Sequence, residues 1–121
     1  MSRPDDFGFG EDEQRLRDSA RRLFRERAGA GVLRHTVARD PDAAYESAVP
    51  AAHYDADLWG RIVDLGWAGA GVPVADGGSG VKMVALAALA EEMGRAALAS
   101  PLMVTLLTTM VLRAAPSLSA R

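Results

Sequence analysis

Leu65-Gly66-Trp67-Ala68-Gly69-Ala70-Gly71-Val72-Pro73-Val74-Ala75-Asp76-Gly77-Gly78-Ser79-Gly80 is the stretch that decides the fold of this chain. It holds six glycines and a proline, with one helical apolar pattern running into it and another running out. Glycine adopts positive φ at no steric cost and closes helices where a side chain would be strained. The spacing therefore predicts a helix that ends at Gly66, a structural turn, and a new helix just after Gly80. Gly66 and at least one of Gly77 and Gly78 are expected at positive φ. The stretch fails as a phosphate cradle. Gly69-Ala70-Gly71 leads to Pro73 instead of a third glycine and a helix start, and Gly77 to Lys82 lacks the glycine-lysine-hydroxyl ending of a P-loop.

Working outward, four helices are firmly predicted. The first runs from Glu11 to about Arg27, with Leu16, Ala20, Leu23, Phe24 and Ala28 on one stripe. Acids fill its first turn and arginines its last, the order that suits the helix dipole. Glu11–Arg15, Glu13–Arg17 and Asp18–Arg22 are spaced to pair. Its arginine-rich face reads as a solvated surface, with phosphate binding the minor alternative. The second helix spans Asp55 to Leu65, with Leu58, Ile62 and Leu65 inward. The third spans Val81 to Ala97, with Met83, Leu86, Ala90, Met93 and Ala97 on its main apolar face. The fourth begins at Pro101 behind the cap Ser100 and continues to about Ala115. It is apolar nearly all round and is read as buried, being too short to span a bilayer. Between the first two, Gly29 and Gly31 read as helix stops, and a short helical piece is expected between Pro41 and Ser47. The fold class is all-α, a helical domain of four to five helices over residues 11–121 behind a tail of residues 1–10.

Composition narrows the function. A net charge of −2 gives no reason to expect nucleic-acid or acidic-membrane binding, and the absence of cysteine removes disulfides, thiolate metal sites and cysteine nucleophiles. With no signal peptide in the acidic opening residues, a cytoplasmic location is expected.

Candidate chemistry is sparse. Glu91 and Glu92 diverge by about 100° on a helix and cannot converge on one atom as an acid–base pair, so Glu91 reads as a salt-bridge residue for Arg95. His35 and His53 lack any partner at metal or catalytic spacing. No catalytic residue and no metal ligand is expected. Thr105 and Thr109 share one face of the last helix beside Leu102 and Leu106, with Thr108 at the edge. Their hydroxyls either bond back to carbonyls a turn earlier or line a ligand cavity.

Four segments in order carry a resemblance: Phe9-Gly10-Glu11-Asp12-Glu13-Gln14-Arg15-Leu16-Arg17-Asp18, Tyr54-Asp55-Ala56-Asp57-Leu58-Trp59, the glycine stretch, and Leu89-Ala90-Glu91-Glu92-Met93-Gly94-Arg95. Together they resemble the N-terminal domain of acyl-CoA dehydrogenases. The resemblance implies an all-helical domain ahead of a β-domain and a C-terminal four-helix bundle. The complete enzymes bind FAD and desaturate an acyl-CoA thioester, a glutamate removing the α proton while hydride passes from the β carbon to the flavin. It further implies that the two helices after the glycine loop wall the acyl pocket, with Leu102, Thr105, Leu106 and Thr109 as pocket-facing positions. Gly66, Gly77, Gly78 and Gly80 are implied as the structural loop. Lys82 departs from the small or apolar residue usual after that loop. The threonine-glutamate and glycine-serine-aspartate stretches that meet flavin and substrate are missing.

The expectation is a chain that lacks the two remaining domains and neither binds FAD nor catalyses alone. It serves acyl-CoA oxidation within an oligomer, completed by those domains or by a partner subunit. The rival is a stand-alone, non-catalytic helical module that docks a partner protein through its apolar last helices. A peripheral membrane hairpin fits poorly, for want of a basic polar face.

Overall fold

The first helix starts where acidic residues meet free N–H groups. In the computed structural model, which describes residues 8–37 and 54–115, α1 spans Glu11–Arg27. The Glu13 carboxylate turns back to accept the Gly10 N–H at 2.9 Å, half of a capping box. That geometry takes Glu13 out of the expected pair with Arg17. Arg17 instead donates to Gln14 and lies over the Phe9 ring, while Asp18 accepts from Gln14 rather than pairing with Arg22. Glu11–Arg15 forms as expected, at 3.5 Å.

After Ala28 the chain enters α2, Ala30–Val37, where only helix-stopping glycines were expected. Eight residues without a capping side chain are too few for an apolar period to register, and Gly31 sits inside the helix. The expected piece from Pro41 to Ser47, the side chain of His35 and all of His53 lie outside the described residues.

Asp55 opens α3, Ala56–Asp64, by accepting the Leu58 N–H at 3.0 Å, and Arg27 of α1 reaches the same carboxylate at 3.2 Å. Leu58 and Ile62 face inward, but Leu65 is half exposed. Gly66 follows at φ +76°, closing the helix as its sequence predicts. Two single 3-10 turns, Trp67–Gly69 and Val74–Asp76, carry the glycine stretch to α4, Met83–Arg95. A last helix, α5, covers Leu102–Ala114, its first N–H accepted by Ser100 Oγ at 3.1 Å. No strand occurs among the described residues, and the fold is all-α.

α1 packs along α4, while α3 and α5 both lean on the first 3-10 turn. The core joins Ala20, Leu23 and Phe24 of α1, Leu58 and Ile62 of α3, Leu86, Leu89 and Met93 of α4, and Leu102 and Leu106 of α5. Trp67 meets Phe24 edge-on, with ring centres 5.8 Å apart, so the turn's one aromatic anchors it to α1. The expected apolar face of α4 changes at both ends: Met83 is exposed, and Ala97 is exposed and lies beyond the end of the helix.

The larger correction concerns α5. Only Leu102 and Leu106 are buried, and Val104 at 68%, Val111 at 65%, Leu107 at 52% and Leu112 at 54% stay exposed. A helix that is apolar all round carries no periodic signal of which side the core takes.

Candidate functional site

The glycine stretch folds on itself through its own backbone. Gly77 N–H donates to Val74 O, Gly78 to Pro73 O, Gly80 to Val72 O and Val81 to Ala70 O, at 2.8–3.0 Å. Gly77 and Gly80 join Gly66 at positive φ, at +86° and +63°. Gly78 has an ordinary φ but no room: a Cβ there would lie 2.1 Å from Val72 O. The four glycines are thus structural for two separate reasons, conformation and close approach.

Those bonds also decide what the loop can hold. A dinucleotide pyrophosphate needs free N–H groups or a helix N-terminus, and here every N–H from Asp76 to Val81 is already taken by a carbonyl. Three helix starts are closed by their own chain's oxygens: α1 by Glu13, α3 by Asp55 and α5 by Ser100. α4 begins without a side-chain cap, behind Lys82, whose ammonium lies 3.8 Å from Glu13. The glycine stretch and these helix starts do not fit the pyrophosphate of a flavin dinucleotide.

On α5 the threonines settle one question raised by the sequence. Thr105 Oγ1 donates to Pro101 O at 2.9 Å, Thr108 to Val104 O at 2.7 Å and Thr109 to Leu106 O at 2.8 Å. Their hydroxyls are satisfied within the helix, which leaves mainly methyl groups to meet a neighbour. Thr105 and Thr109 are half-buried on the same side as the core residues Leu102 and Leu106, and Thr108 is exposed. Of the four positions implied for a pocket wall, two therefore belong to this domain's own core and two lie at its edge. At the far end of α5, Arg113 Nη1 donates to Gly71 O at 2.8 Å and ties the helix to the glycine stretch.

Family membership follows from the order of these parts. A family model described as "Acyl-CoA dehydrogenase, N-terminal domain" matches residues 10–116. The chain belongs to that family. No curated protein and no solved structure matches it. Within the family domain, the match runs from the Gly10 cap of α1 through the end of α5.

The structural role of one residue escaped the sequence reading. Glu92 is only 1% exposed and receives two hydrogen bonds from Arg21 of α1, at 2.7 and 3.1 Å, with Arg95 Nε at 3.5 Å. Hydrogen bonding from Arg21 outweighs burial and holds the Glu92 carboxyl below the usual carboxylate range, with the charges of Arg21, Arg95 and Arg17 adding to it. Glu91, its neighbour, pairs with Arg95 in solvent at 3.0 Å, as expected. The signal for Glu92 was spacing. It follows Ala85 and Ala88 at steps of three and four, the stripe of small residues on which α1 lies. Among the described residues no group of three acidic or imidazole side chains is placed to hold a metal ion, and no helix is long and apolar enough to cross a membrane.

Proposed function

We propose that this chain serves as the N-terminal domain of a FAD-dependent acyl-CoA dehydrogenase, where it shapes part of the acyl pocket and the subunit contacts. The observation that carries this reading is α5, held to the core by two leucines and offering a long uncharged face to a neighbour. The half-buried methyl groups of Thr105 and Thr109 border that face and suit an acyl chain, because their hydroxyls ask for no partner. α,β-Desaturation of a thioester needs a base at the α carbon and a hydride acceptor at the β carbon. Neither Glu91, solvated and paired, nor Glu92, buried and doubly bonded, supports the reading of a base here. Both groups would come from the β-domain and C-terminal bundle of the complete cytoplasmic, oligomeric enzyme, with FAD supplying the hydride acceptor when bound there.

A domain exchange tests this. Residues 10–115 replace the N-terminal domain of a dehydrogenase of the family, and bound FAD and acyl-CoA-dependent dye reduction are measured. The proposal expects a yellow, active chimera. A chimera that folds and holds FAD but oxidises no acyl-CoA would favour the rival, a non-catalytic docking module.

A further inference from the structure

The arginine-rich face of α1 is not uniformly solvated. Arg21 and Arg25 of α1 meet Arg95 of α4 at a cavity of about 270 Å³, floored by Phe24, Ala28, Gly29 and Ala96. Glu92 sits behind them and sets two of the three guanidinium groups. Arg21 gives it Nε and Nη2 and keeps Nη1 free; Arg95 turns Nε to Glu92 and one Nη to Glu91, and likewise keeps an Nη. Arg25 makes no hydrogen bond or ion pair among the described residues. A buried carboxylate that fixes two arginines beside a third, unengaged one leaves unused guanidinium N–H donors on three residues that line one cavity.

Charge and size choose the ligand. Glu92 is the one acid lining the cavity, against three arginines, and Glu91 pairs with Arg95 from the solvent side, so the group keeps one positive charge in excess, that of the unpaired Arg25. Asp18 acts on Arg21 through space while it accepts from Gln14. Guanidinium donors from three residues of one cavity match the three oxygens of a phosphate better than the two of a carboxylate. The volume lies just below the roughly 300–1,000 Å³ of drug-sized sites, which restricts the organic part to a small apolar body over Phe24 and the alanines. We infer that this cavity between α1 and α4 is a binding site for a small organic phosphate monoester, separate from the α5 face and independent of the acyl-pocket reading.

The test titrates the full chain with inorganic phosphate and with phenyl phosphate at constant ionic strength, following backbone amide shifts by NMR. Saturable shifts confined to residues around Phe24, Ala28 and Ala96 are expected, with phenyl phosphate binding more tightly than inorganic phosphate. R25Q removes an exposed, unpaired side chain and should weaken phenyl phosphate about tenfold, the loss of one charged hydrogen bond. R22Q, on the same helix but outside the cavity, should leave binding unchanged. Shifts that never saturate, equal weakening by R22Q and R25Q, or no gain from the phenyl group would each overturn the inference.

Discussion

Ala97 is the one non-glycine residue at positive φ among those described, at +48°. It follows α4, where its N–H bonds to Gly94 O while Leu98 N–H reaches Met93 O, the paired bonds of a Schellman ending. An alanine there carries a left-handed cost of roughly 1–2 kcal/mol, partly offset because glycine loses more freedom on folding. Ala97→Gly should therefore stabilise the domain by about 0.5–1 kcal/mol, read as a raised melting temperature. Glu92 works in the opposite direction. Glu92→Gln leaves Arg21 and Arg95 facing a neutral amide, and the expected loss is about 2–3 kcal/mol. That is less than for a fully buried pair, because Arg21 keeps 37% of its side chain in solvent. The sign with pH follows from the lowered pKa. Stability from ionised Glu92 is complete above the ordinary carboxylate range and disappears as pH falls through its lower folded value. Acid melts of the wild type should decline steeply there, and those of Glu92→Gln less so. Gly66 was legible in the sequence because a helix period stops at it. Glu92 was not, because a charge inside a helix looks alike whether its partner is solvent or another helix.

Among the elements, the glycine stretch and α5 show why some parts of the fold are readable and others are not. The stretch announces itself by composition, and its three positive-φ glycines lie where backbone geometry demands them. Its tightest position, Gly78, has ordinary φ and is revealed only by the approach of Val72 O. Gly78→Ala should thus cost about 3 kcal/mol, at the upper end for overpacking, because the clash is with backbone. Gly77→Ala, with open space around it, should cost only its positive φ, about 1–2 kcal/mol. Denaturant melts of the two variants check the order. α2 escaped reading because it is short and uncapped. α5 was placed correctly along the chain and wrongly in depth, since a helix apolar on every side does not say which side the core takes.

At the scale of the whole molecule, the all-α class and the family were legible because capping residues, glycines and paired charges recur in a fixed order along the chain. The candidate pocket wall was legible only in part. Leu102 and Leu106 proved to be core, and what meets the exposed face of α5 lies outside the core that the described residues form. The isolated chain should purify colourless and reduce no dye with acyl-CoA, since the N–H groups from Asp76 to Val81 and three of its helix starts are already occupied. Spectra and a dye-coupled assay check this. The most direct test of the acyl-pocket role is the range of acyl-chain lengths oxidised by the domain-exchange chimera, with and without Thr105→Leu. Thr105 is half-buried at the border of the exposed face, and its hydroxyl bond stays within α5. The added volume should leave the domain folded and shorten the longest acyl chain accepted. A domain destabilised by about 1–3 kcal/mol, as overpacked core would be, with an unchanged chain-length profile, would contradict the account.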